Sequence, residues 1–248
     1  MSKTRTTHLC DEAFTILIHA IGGAYFALTL ISFLIYQIPP SLDALPDALV
    51  LVLYFIGILT CSALSILYRS ISIFDRENCG YWQRLEHVGI VILIWSSSLP
   101  FIYFQFYHQD RALIGYIWLI TLTGVRNLVL ILDSPPHYPQ ASRIFIYTGS
   151  TFALLTLLPA VHAVFWTSAC RYPLAPDYIR YAAFNTIGGL FYLLRFPERW
   201  GIVKRWKVSN YAIHVFILGA AVLYSRCLVT AYASDQNWSV QKCGEWRR

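Results

Sequence analysis

The stretch Arg84 to Phe104, RLEHVGIVILIWSSSLPFIYF, decides the fold. From His87 to Tyr107 no residue carries a fixed charge, and a helix of that length crosses the roughly 30 Å hydrocarbon core of a bilayer. Glu86 and His87 stand at the entrance of this run. An acid and an imidazole there either mark the membrane interface or belong to a site. The choice depends on what the rest of the chain brings to the same level.

Composition places the whole chain in the same solvent. Of 248 residues 57% are hydrophobic and 13% charged, with mean hydropathy +0.52, against roughly 25% charged residues in soluble domains. The reading is an all-α integral membrane protein. Apolar runs recur with short connections, so there is no room for a separate soluble domain. The polar start, MSKTRTTHLCDE, leads into an apolar run without a small-residue cleavage signature, so no cleaved signal peptide is expected. Six cysteines without a CxxC give no metal or redox motif. The sequence leaves a disulfide between Cys170 and Cys243 open.

Length and apolar content predict seven spans, at about 14–36, 48–68, 87–107, 112–132, 144–166, 178–196 and 210–232. Residues 1–13 form an N-terminal tail, 14–232 the bundle and 233–248 a C-terminal tail. The second span is expected to stop at Arg69, and the sixth is the shortest. Lys and Arg in alternate loops number ten on one side and five on the other. Cytoplasmic loops carry the excess, so the N-terminus is expected in the cytosol and the C-terminus in the lumen or outside. The net charge of +6 is spread through loops rather than gathered on a patch, which argues against nucleic acid as a partner and for lipid head groups.

With that orientation four span ends meet near the cytosolic face. They carry Glu12 and His19; Ser65 and Arg69; Glu86 and His87; Asn210 and His214. Each alone reads as easily as an interfacial or capping residue. Together they predict a polar cluster at one end of the bundle, because ionisable groups at membrane depth are costly unless they have work to do. Beyond it the sequence predicts an aromatic pocket from Tyr25, Phe26, Trp95, Phe101, Tyr103, Phe104, Tyr192 and Tyr211.

RLEHVGIVILIWSSSLPF, with LYFIGILTCSALSILYRSI before it and DEAFTILIHAIGG, GGLFYLLRFPERW and SNYAIHVFILGA in order around it, resembles the haemolysin III and progestin/adipoQ receptor (adiponectin receptor-like) superfamily. The resemblance implies seven spans with the N-terminus inside. It also implies a serine-x3-histidine on the second span, an aspartate entering the third and a histidine-x3-histidine on the last, with three histidines holding zinc. Here Ser65 and His214 are kept, but Arg69, Glu86 and Asn210 stand at the other positions. One histidine cannot complete a nitrogen-rich zinc shell, and Arg69 is a permanent cation. No metal or other cofactor is expected.

Some fungal proteins of this fold are associated with cyclising epoxidised prenyl chains in meroterpenoid pathways, and this chain looks like such a member. The implied function is a metal-independent terpene cyclase of the endoplasmic reticulum or another endomembrane, acting on a lipophilic prenylated small molecule. Glu86 leads as proton donor with His214, His87 or Glu12 assisting, while Ser65, Arg69, Asn210, Trp95, Tyr211 and His19 face the substrate. Two alternatives stand beside it. One is a ceramidase-like lipid amide hydrolase with a metal on His214, Glu86 and a water; the other is a receptor or regulator without enzymatic activity. If Arg69 pairs with Glu86, the acid role passes to Glu12 or His214; the expectation leans to Arg69 turning away.

Overall fold

The computed structural model describes residues 3–38, 45–75, 79–134, 140–166, 173–202 and 208–237. It is helical throughout these stretches: α1 (Lys3–Tyr36), α2 (Leu45–Phe74), α3 (Cys79–Gln105), α4 (Asp110–Asp133), α5 (Gln140–Leu155), α6 (Leu158–Trp166), α7 (Ala175–Leu194) and α8 (Val208–Asn237), with a single 3-10 turn at Glu198–Trp200. In hydrocarbon a spanning segment must satisfy its own backbone hydrogen bonds, and a helix does so locally. Cys170 and Cys243 lie outside the described residues.

Among the described residues six stretches are long and apolar enough to cross a membrane: Glu12–Tyr36, Leu45–Phe74, Gly80–Phe106, Asp110–Asp133, Ile144–Trp166 and Val208–Ser234. The remaining helix, α7, falls short of that apolarity, carrying Asp177, Arg180 and Asn185. The stretch expected as one fifth span is broken into α5 and α6. Pro159 opens α6, where it offers no N–H to bond backward, and Thr156 Oγ1 turns to the Ala153 carbonyl at 2.7 Å.

The second helix does not stop at Arg69 but runs on to Phe74. A charge ends a membrane helix only when it must reach water, and Arg69 finds its partners inside the bundle.

The first helix shows one stripe inward. On α1, Thr15, His19, Phe26 and Phe33 are buried while Leu17, Ile21, Leu28 and Ile35 are exposed. The inward spacing of four and seven residues is that of one helical face, polar towards the start of α1 and aromatic towards its end. The outward leucines and isoleucines suit lipid.

The bundle is tightest where α2 crosses α3. A Cβ on Gly57 would run into the Ser96 side chain, and one on Gly89 would lie 3.1 Å from the Cys61 Cα. Backbone at that distance cannot swing aside as a side-chain tip can. Gly115 on α4, by contrast, has nothing within 4 Å of the same position. Leucine in place of Gly89 is therefore expected to destabilise by about 1–3 kcal/mol through overpacking. The same change at Gly115 should be neutral or gain up to about 1 kcal/mol of helix propensity. Thermal unfolding in detergent checks the pair, and equal effects at both positions would refute the close approach.

Candidate functional site

Glu12 and His19 sit two turns apart on the inward face of α1, Arg69 near the end of α2, Glu86 near the start of α3 and His214 in the second turn of α8. The bundle brings these five together. Arg69 Nη1 donates to Glu12 Oε2 at 3.1 Å and Nη2 to Glu86 Oε1 at 2.9 Å. The same Nη2 lies 3.4 Å from His214 Nε2, and His214 Nδ1 lies 3.1 Å from His19 Nε2. All four partners are buried, and the Arg69 side chain is 11% exposed.

The expectation that Arg69 turns away from Glu86 is thus corrected. A guanidinium is a planar fork with donors on two ends, so a single arginine can hold a carboxylate on each side. Leaving either acid buried without the cation would cost more than the pairing.

The donors also fix the imidazoles. A guanidinium only donates, so His214 Nε2 accepts. The one proton of a neutral ring is then on Nδ1, which donates to His19 Nε2 and leaves the His19 proton on Nδ1. The network runs in one direction, from Arg69 through His214 to His19. Arg69 Nε, meanwhile, is buried and has no hydrogen-bond partner among the described residues.

The other candidate residues lie around or away from this cluster. Ser65 is buried one turn before Arg69 on α2, and Asn210 is half-buried one turn before His214 on α8. Tyr211 meets Phe14 edge-on, ring centroids 4.7 Å apart. His87 does not join: its ring stacks on Phe145 of α5 at 3.9 Å and 4°. Successive helical residues point about 100° apart, so neighbours in sequence serve different faces of α3. Trp95 is tied to α4, with Nε1 donating to Thr121 Oγ1 at 3.1 Å.

The expected aromatic pocket is a packed core instead. Phe26, Phe101 and Phe104 are buried, Phe101 stacks on Tyr178 at 4.4 Å, and Tyr103 donates to Asp47 Oδ1 at 2.6 Å. Tyr192 is 41% exposed on the outside of α7. Aromatic rings fill the interior by edge and face contacts with one another, so they leave little hollow among themselves.

A second polar line, which the sequence reading did not single out, crosses this core. Ser98 donates to the Ile94 carbonyl at 2.7 Å, so its oxygen is free to accept from the Tyr178 hydroxyl, 2.9 Å away. The Tyr224 hydroxyl donates to the Ser97 carbonyl at 3.1 Å. Pro100 lacks the N–H that would bond back along α3, and membrane helices tolerate such a gap where neighbouring hydroxyls serve the carbonyls. The signal was the run Ser96-Ser97-Ser98 before Pro100.

The profile of the haemolysin-III-related family matches residues 7–225. The chain belongs to that family. Among relatives of this haemolysin-III-related protein, the adiponectin receptor protein of Drosophila melanogaster is 26% identical over 71% of this chain and 44% of its own length. The heptahelical transmembrane protein ADIPOR2 of Oryza sativa subsp. japonica is 25% identical over 69% and 76%. The ADIPOR-like receptor IZH4 of Saccharomyces cerevisiae is 22% identical over 90% and 75%. The chain thus spans less than half the length of the fly relative.

The zinc site that the superfamily resemblance implies does not fit these residues. Zinc would need His214 nitrogen and its other ligands at about 2.0–2.2 Å from one point. Arg69 Nη2 already stands between His214 and Glu86 as the cation there, and both His214 nitrogens face neighbours. Among the described residues no three of His, Cys, Asp and Glu gather as a metal site. The hydrolase reading, with a metal on His214, Glu86 and a water, loses its two protein ligands to Arg69.

Proposed function

We propose that this haemolysin-III-related protein is a metal-independent terpene cyclase of an endomembrane, with its N-terminus in the cytosol and α7 completing seven spans. It protonates and cyclises an epoxidised prenyl chain in meroterpenoid biosynthesis. The observation that carries the reading is Arg69 Nε, a buried N–H donor among acids and imidazoles with no partner of its own among the described residues. Such a donor is costly unless an oxygen comes to it, and an epoxide oxygen is a ligand of that kind with an apolar body suited to the bundle.

The reaction needs no co-reactant. A carboxyl group of the cluster gives its proton to the epoxide oxygen. The C–O bond breaks as an alkene of the chain attacks the developing carbocation and closes the ring. A base then removes a proton from carbon, which leaves an alkene and returns the proton to the protein. The product is an isomer of the substrate.

Each carboxyl uses one oxygen on Arg69, namely Oε2 of Glu12 and Oε1 of Glu86. A carboxylic acid can accept there at its carbonyl oxygen and donate from its hydroxyl. Because Glu86 makes the shorter contact, it is assigned to holding Arg69 and Glu12 to donating the proton, which the Glu12 carboxylate then takes back.

The test is Glu12→Gln beside Glu86→Gln, assayed for product from an epoxidised prenyl substrate in microsomes at matched protein level. Glu12→Gln should lose at least about a hundredfold, the span of a general acid, while Glu86→Gln loses less. Full activity in both variants would remove the cluster carboxyls from the chemistry.

The relatives' names favour a second reading, a receptor or regulator without enzymatic activity. The same donor would then hold a lipid oxygen, and no product would form with the unaltered chain.

A further inference from the structure

Away from the cluster's interior, the chain folds back over the end of α7. Arg195 ends the helix in a left-handed conformation, φ 49°, and Gly201 takes φ 74° after the 3-10 turn. The reversal sets Phe196 against Phe191, ring centroids 5.4 Å apart, and Trp200 against Phe196 at 5.7 Å. Between this turn and the outer face of α7 lies a cleft of about 250 Å³, with Leu190, Phe191 and Leu194 on one wall, Phe196 and Trp200 on the other, and Arg199 beside them. Its lining is apolar except for that one cation.

We propose that this cleft binds an anionic phospholipid, one acyl chain lying along the apolar walls and the phosphate on Arg199. The segment 195–207 carries five basic residues, Arg195, Arg199, Lys204, Arg205 and Lys207, against one acid. That acid, Glu198, is turned elsewhere: its Oε1 accepts the backbone N–H of Ser209 at 2.7 Å. A polybasic segment next in sequence to a membrane helix attracts anionic head groups, and the exposed Trp200 suits the head-group level. A ligand with one negative head and a hydrocarbon tail matches one cation beside an apolar trough. The same contact from Glu198 joins the floor of the turn to the first turn of α8, so a bound lipid would also hold the helix that carries Asn210 and His214.

The test reconstitutes the full chain in phosphatidylcholine vesicles containing a minority of brominated phosphatidylserine or, in parallel, brominated phosphatidylcholine. Quenching of tryptophan fluorescence reads occupancy, and Trp200→Phe identifies the Trp200 share. Brominated phosphatidylserine should quench Trp200 more strongly than brominated phosphatidylcholine. Arg199→Gln should weaken that preference about fivefold, the weight of one basic residue at an anionic surface, and Arg199→Lys should keep most of it. Both variants alter an exposed side chain, and their unchanged melting confirms that the fold is intact. Equal quenching by the two lipids, an unaltered preference in Arg199→Gln, or displacement by inorganic phosphate alone would each overturn the proposal. None of these results depends on whether the chain is a cyclase.

Discussion

Arg69→Met is expected to destabilise the protein by about 3–5 kcal/mol, the cost of removing one partner from a buried ion group and leaving the other charges uncompensated. For a chain of this size that lowers the melting temperature by on the order of 10 °C. The two carboxyl groups that lose their cation are those of Glu12, at 3.1 Å, and Glu86, at 2.9 Å, and both are buried. Arg69→Lys should fall between, because an ammonium cannot present two ends to two acids. The informative variant is the triple one, Glu12→Gln with Arg69→Met and Glu86→Gln. Neutralising the whole group removes the desolvation cost with the attraction, so most of the lost stability should return, a coupling that single substitutions cannot show. Thermal unfolding in detergent measures the three variants against the parent. If Arg69→Met melts with the parent, the ion group contributes nothing and the geometry around Arg69 is wrong.

Zinc is expected to return when the departures from the superfamily pattern are reversed. Arg69→His with Asn210→His would place imidazoles at the two positions where the resemblance implies them, beside the retained His214. Residues 210 and 214 are one turn apart on α8 and share a face, and Arg69 already reaches to 3.4 Å from His214. The purified double variant should take up about one zinc per chain, with water in the fourth place, while the parent takes up none. Its metal-free form should melt below the parent, because the arginine charge is gone, and zinc should raise it again, since binding to the folded state alone stabilises it. A folded double variant that stays free of zinc in the presence of excess metal would break the correspondence between Arg69 and a ligand position.

How far the sequence carried can be seen residue by residue. The helices were legible because apolar runs have to be long enough to cross hydrocarbon, and the meeting of Glu12, His19, Arg69, Glu86 and His214 followed from counting which ends lie on one side. Rotation about each helix was not legible. Glu86 and His87 are adjacent, yet one reaches Arg69 and the other stacks on Phe145, a difference set by how α3 is turned against α2 and α5. Nor does an aromatic count distinguish a hollow from a filled core: Phe101 and Tyr178 stack where a cavity was expected. The helix boundary at Arg69 failed for a related reason, since a charge reads as a terminus until its partners, one of them 57 residues earlier, are known.

The order in which the chain is made gives the ion group one more consequence. Glu12, Arg69 and Glu86 belong to the first three helices, and His214 to the last. During synthesis the charges least welcome in a membrane can neutralise one another while α4 to α8 are still unmade, so the first three helices can settle into the bilayer as a self-sufficient unit. The histidine on α8 then arrives at a charge pattern already set, and the final step of assembly is the docking of an almost uncharged helix.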